Sequence, residues 1–168
     1  MLRFIGWDAS HDINKYGFSD DEKLKLVQYL SKYGDVFISS EGNLLPELEK
    51  YRIQIPASKI HHVLHFATLY IGDSQTMATE SALLGTPSIR YNSFVGENDM
   101  SNFIILEQKY NLLKNFNNFR DAFTCTEKFI SNINNKKEWL KKRENYYDNV
   151  GNINEKIFSI ISSIKTFK

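Results

Sequence analysis

The run Thr68–Arg90, TLYIGDSQTMATESALLGTPSIR, constrains the fold more than any other stretch of the chain. It predicts a buried strand (Thr68–Gly72), a tight turn (Asp73–Gln75), a helix of small and apolar residues (Thr76–Leu84) and a second strand (Ser88–Tyr91). Gly85 stands where the helix should end, and Pro87 cannot continue it. Strand, turn, helix and strand make a βαβ unit, whose strands lie parallel and whose crossover is right-handed. The turn then opens at the carboxyl end of the first strand, where open α/β sheets bind ligands. The helix presents free N–H groups and the positive end of its dipole there, a combination suited to phosphate.

The side chains fit that use. Ser74 and Thr76 offer hydroxyls beside the free N–H groups, and Ala78, Ser81 and Ala82 let the helix lie close to the sheet. Glu80, six residues beyond Ser74, falls on the second helical turn, within reach of a sugar diol past a bound phosphate. Taken singly, Ser74 reads as a helix cap and Glu80 as a complement to the helix N-terminus. Strand, hydroxyl turn, small-residue helix, glutamate and Gly-x-Pro together point to a nucleotide site.

The segment DSQTMATESALLGTP resembles the nucleotide-binding signature in the C-terminal half of GT-B glycosyltransferases and UDP-N-acetylglucosamine 2-epimerases. With FISSEG at Phe37–Gly42, it is similar to an uncharacterised glycosyltransferase-like group of that superfamily. The resemblance implies that Ser74, Gln75 and Thr76 hold a diphosphate and that Glu80 holds the ribose hydroxyls. It sets Ile55, Pro56 and Ala57 under the base. Ser40 and Glu41 follow the second strand at the same edge, and Asn92, Glu97 and Asn98 belong by position beside the donor sugar. A UDP-sugar is then a substrate, and no bound cofactor or metal is implied. Two departures stand out: Gln75 and Thr76 replace two glycines, and Gly72 occupies the position, eight residues before Glu80, where retaining enzymes carry another glutamate. The second leans against a retaining transferase.

GT-B enzymes place the acceptor, and often the catalytic base, in an N-terminal domain. The resemblance therefore implies the donor-binding half of a glycosyltransferase or epimerase of glycan or polysaccharide synthesis. Such a half is a piece of a longer protein or one subunit of a split enzyme, and it binds without turning over on its own. A missing N-terminal domain or partner subunit would cover an apolar wall around Phe94 and Val95, and self-association is the alternative way to cover it. Two readings of other classes stay open: a non-enzymatic nucleotide-binding or regulatory module, and a flavodoxin-like phosphate or flavin binder. WDASHDINKYG after the first strand lacks the hydroxyl- and glycine-rich character that the last requires.

At 168 residues and 42% hydrophobic, the chain suffices for one domain with its own core. A net charge of +1 gives no electrostatic reason for a nucleic-acid partner. The single cysteine, Cys125, excludes an internal disulfide and a cysteine-built zinc site, and its helical setting suggests a small core residue. With no signal peptide and no apolar run of spanning length, the expectation is cytoplasmic residence, peripheral at a membrane only through a partner.

The remaining elements follow the same alternation. A strand, LRFIGW, opens directly after Met1, as in the later part of something longer, and leads into a loop over Asp8–Ser19. His11 and Asp12 in that loop are the weak catalytic candidates, or a solvated pair. Ser19 caps a helix with Leu24, Val27, Leu30 and Tyr33 on one face, ended by Gly34. Further strands are expected at Asp35–Ser39, Tyr51–Ile55 and Leu112–Asn115, with helices near Pro46–Glu49, Ser58–Phe66 and Asn102–Tyr110. His61 and His65 share a helix face, but a zinc site needs a third ligand and none stands at motif spacing, so lining or surface roles are expected for them and for His62. Beyond Asn117 a helical, Asn/Lys-rich C-terminal extension (119–168) carries Phe123, Phe129, Ile130, Ile133, Trp139 and Leu140, then Ile157, Ile160, Ile161 and Ile164 at helical spacing. The whole predicts a single α/β domain: a doubly wound, mostly parallel, Rossmann-like sheet of about six strands with C-terminal helices.

Overall fold

Five short strands form one all-parallel sheet in the computed structural model, which describes residues 1–7, 13–97, 99–132 and 134–164. The strands are β1 (Leu2–Phe4), β2 (Ile38–Ser40), β3 (Tyr70–Gly72), β4 (Ser88–Tyr91) and β5 (Leu113–Phe116), in the order β2-β1-β3-β4-β5. The expected six-strand count is corrected to five. The segment Tyr51–Ile55 reaches the sheet only as an isolated parallel bridge between Arg52 and Ile38. It donates from Ile53 N to Ile38 O and accepts at Tyr51 O from Ile38 N, both at 2.8 Å. The ladder stops there because Pro56 follows closely and the Arg52 guanidinium is drawn aside to Glu49 and to the carbonyls of Ser40 and Gly42. Counting that bridge as a vestigial outer strand gives the Rossmann order, which reverses direction between β1 and β3.

Helices cover both faces. On one lie α1 (Asp20–Leu30), α2 (Pro46–Glu49) and α6 (Phe119–Ile130), closing a core of Leu2, Phe4, Leu26, Ile38, Leu48, Ile71 and Ile89. On the other lie α3 (Ile60–Phe66, led in by a 3-10 turn over Ala57–Lys59), α4 (Gln75–Leu83), α5 (Ser101–Ile104) with its π-helical continuation Ile105–Lys109, and α7 (Asn135–Val150). Their core is Leu64, Tyr70, Met77, Phe103, Leu106, Leu113 and Trp139. Moving outward from β1 with α1 on one face, and from β3 with α4 on the other, keeps both crossovers right-handed. α8 (Ile153–Ser163) carries no buried residue, so its spaced isoleucines lie at the surface.

Several element ends differ from the sequence expectation. β1 ends at Phe4 instead of Trp7, because Ile5 and Gly6 turn aside to donate to Asp73 and Glu41. α1 is capped by Ser19 in a reciprocal capping box with Glu22, yet stops at Leu30, so Tyr33 is exposed and Gly34 lies beyond the helix. Cys125 is half-buried against the first core, and burial pushes its thiol up to about 11. Ile133 lies outside the described residues.

α4 ends as its Gly-Thr-Pro signal demands. Gly85 adopts φ 82°, with Gly85 N donating to Ala82 O and Thr86 N to Ser81 O, both at 3.0 Å. This is a Schellman stop that turns the chain straight into β4. A β-carbon at Gly85 would also meet Leu140 of α7. Gly85→Ala should therefore cost about 2 kcal/mol of stability in urea unfolding, from left-handed strain and the displaced Leu140; a loss below about 0.5 kcal/mol would contradict this account.

Candidate functional site

Ser40 ends β2, and Ser74 and Asn92 follow β3 and β4, so all three stand at the carboxyl edge of the parallel sheet. Ser74 caps α4, its Oγ accepting from Met77 N at 3.3 Å. The helix starts at Gln75, one residue earlier than expected, and the N–H groups of Gln75 and Thr76 remain for an outside acceptor. Thr76 is exposed and Gln75 half-buried. No acidic residue stands in the first turn of α4, unlike α1, α6, α7 and α8, so the positive end of its dipole is uncompensated within the helix.

Asp73, only 1% exposed, anchors this edge. Its Oδ1 accepts from Ile5 N at 2.9 Å and its Oδ2 from Trp7 Nε1 at 3.3 Å. Gly17 packs so closely on the carboxylate that a β-carbon there would collide with it. Burial raises the carboxyl from 3.8 to about 6, against the lowering effect of these hydrogen bonds and of the Phe18 backbone. The Asp73 carbonyl accepts from Asn92 Nδ2 at 2.9 Å, and Asn92 Oδ1 accepts from Phe94 N at 3.1 Å. Both ends of the Asn92 amide are thus engaged inside the protein.

The loops after β1 and β4 are clipped together across the end of β3. Tyr16 N donates to Ser93 Oγ at 2.8 Å, Ser93 N donates to Tyr16 O at 3.0 Å, and Trp7 stacks on Phe94 with ring centroids 6.1 Å apart. Phe94 and Val95 are half-buried and do not form the exposed apolar wall that was expected. Beyond them, Asp99 pairs with the fully buried Arg90, whose guanidinium also lies 3.6 Å from the centroid of the Phe103 ring. That ring contact takes the place of partners for Arg90 Nε and Nη1, which have none among the described residues.

On the β2 side, Glu41 is held by the first strand. One oxygen pairs with Arg3 and the other accepts from Gly6 N at 3.0 Å, while Ser40 Oγ donates to Gly42 O at 3.0 Å. Glu97 is exposed in the loop after β4. His11, Asp12 and Asn98 lie outside the described residues. Pro56 and Ala57 are exposed at the entry to α3. Next along, His61 Nε2 lies 3.4 Å from Glu80 Oε2, so the start of α3 stands beside the second turn of α4.

Gly72 has a local reason. A β-carbon there would run into the Tyr70 hydroxyl and the Arg3 carbonyl, which leaves no room for a side chain. The other histidines are placed elsewhere. His65 Nδ1 stands 3.2 Å from Leu84 O, and His62 lines a cleft of about 640 Å³ at the opposite, amino-terminal edge, with Val36, Phe37, Val63, Phe66 and Leu69. Among the described residues no three His, Cys, Asp or Glu side chains cluster as a metal site, and no helix is long and apolar enough to cross a membrane.

Asp73, Trp7 and Arg90 went unnoticed in the sequence as site-forming residues. Asp73 was legible only as a turn residue, whereas its partners lie 66 and 68 residues away. An arginine inside the apolar strand SIRY was the one available signal for a buried ion pair. Comparison with family models, curated proteins and solved structures finds no match to the chain.

The raised Asp73 carboxyl gives a pH signature. Below pH 3.8 the group is protonated folded or unfolded; as pH rises toward 6 the unfolded chain ionises first, and above 6 both forms are ionised. Asp73 therefore withdraws stability as pH rises from about 4 to 6, by up to about 3 kcal/mol. Asp73→Asn lacks that titration, so unfolding measured across pH 4–7 should show the variant gaining on the parent through this window. A parent–variant difference that does not change with pH would refute the assignment.

Proposed function

We propose that this chain is the donor-binding half of a GT-B-type glycosyltransferase or sugar epimerase, and that its ligand is a nucleoside diphosphate sugar, first of all a UDP-sugar. The observation that supports this most is the head of α4. A helix N-terminus capped by Ser74, with no acidic residue in its first turn, stands at the carboxyl end of β3, next to the strand-order reversal. Glu80 follows on the second turn beside the Pro56–His61 segment. A diphosphate would take the N–H groups of Gln75 and Thr76, and the ribose diol would donate to Glu80. The base would lie along Pro56 and Ala57, contacting backbone, which suits a flat ring with edge donors and acceptors.

The β-carbons of Gln75 and Thr76 stand off a phosphate further than glycines would, so more of the affinity falls on the ribose contact. Chemistry on the donor needs a group within about 2.6–3.2 Å of the proton it moves. In the related enzymes that group comes from the facing domain, so this chain by itself binds and does not turn over.

A thermal-shift panel of UDP, GDP, CDP, FMN and NAD should single out a nucleoside diphosphate. Calorimetry should then show Glu80→Gln losing about 1.5–3 kcal/mol of UDP affinity, because the diol's hydrogen bonds to a charged acceptor become bonds to a neutral one. Equal binding of UDP by parent and variant, or stabilisation by FMN alone, would defeat the reading.

A further inference from the structure

We infer that His61 is a positioning residue for Glu80: it holds the carboxylate in the orientation that accepts a ribose diol, and so sets a preference for ribonucleotides over 2′-deoxyribonucleotides. This rests on the nucleotide-donor reading above. His61 Nε2 lies 3.4 Å from Glu80 Oε2, with the imidazole 60% and the carboxylate 35% exposed. Both groups are thus open to solvent, where a ligand would arrive. An exposed pair of this kind contributes little to stability, so its consequence has to be sought in what Glu80 does.

The spacing is set by packed helices. One turn further along α3, His65 Nδ1 meets the Leu84 carbonyl at 3.2 Å, and between them Leu64 is fully buried in the second core. α3 is therefore fixed against α4 below this pair, and His61 is presented to Glu80 by rigid elements. A glutamate has three side-chain torsions and, free on a helix surface, would have to be ordered when ligand binds. Contact with His61 orders it beforehand. A carboxylate has about four lone-pair sites, so the imidazole beside Oε2 leaves Oε1 and further capacity for both hydroxyls of a diol. His61 also lies one turn past Pro56 and Ala57, which couples the residues proposed for the base to the residue proposed for the sugar.

The test uses calorimetry or competition binding with UDP, 2′-deoxy-UDP and inorganic pyrophosphate on the parent, His61→Leu and His61→Gln. The parent should prefer UDP to 2′-deoxy-UDP by about tenfold, His61→Leu should lower that preference to about threefold or less, and His61→Gln, which keeps an N–H donor, should retain it. Pyrophosphate affinity and melting temperature should be the same in all three proteins. Undiminished preference in His61→Leu overturns the role of His61 alone. A His61→Leu protein equally weakened toward pyrophosphate overturns it as well, by showing a general disturbance of the head of α4. A parent that binds pyrophosphate as well as UDP removes the nucleotide reading, and the positioning role falls with it.

Discussion

The carboxylate of Asp73 is the interaction on which the ligand edge depends. Parallel strands bring their carboxyl ends to one edge, and at the strand-order reversal the chains after β1 and β3 leave toward opposite faces. The crevice between them must be floored by something. Here the first loop folds back over it, with Ile5 N and Trp7 Nε1 donating to Asp73 and Gly17 packed on its oxygens. Burying a carboxylate is costly, and the rise of its pKa to about 6 measures that cost. The hydrogen bonds make it tolerable. They also bind two loops distant in sequence into one surface, and the Asn92 bond to the Asp73 carbonyl adds a third.

That floor divides the candidate residues into two kinds. Asp73, Ser74 and Asn92 are buried and hydrogen-bonded to protein partners, which fixes the backbone around them. Thr76, Glu80, His61, Pro56, Ala57 and Glu97 are exposed or half-exposed around it. Arg3–Glu41 and Arg90–Asp99 sit at either side of the floor as ion pairs that hold the turn after β2 and the end of the loop after β4. A buried guanidinium without Asp99 would be left with an aromatic face alone.

Local signals carried most of the fold. Ser19 before an amphipathic run, Ser74 before a small-residue run, and Gly85 followed by Pro87 are rules a chain obeys within a few residues, and each put a helix end within one residue of its expected place. Tyr51–Ile55 failed because its alternation was that of a strand while its partner edge was too short and its arginine was claimed by Glu49 and by carbonyls of the β2 turn. The position of Ser74 and Glu80 on their helix was legible for the same local reason. The Glu80–His61 contact was not, since it depends on how α3 and α4 cross, which no spacing within either helix encodes.

The two ends of the second helical layer are treated differently. At the amino-terminal edge Lys136 of α7 donates to His65 O, Ala67 O and Thr86 Oγ1, placing a cation on the last carbonyls of α3, and desolvation there lowers its ammonium to about 8. At the carboxyl edge neither α3 nor α4 has an acidic residue in its first turn, although α1 carries three. The fold thus compensates the negative end of this layer with its own lysine and leaves the positive end of α4 without a carboxylate in its first turn. Asp73, one residue ahead of the Ser74 cap, turns its carboxylate to Ile5 N and Trp7 Nε1, so the N–H groups of Gln75 and Thr76 are left without an acidic partner in their own first turn.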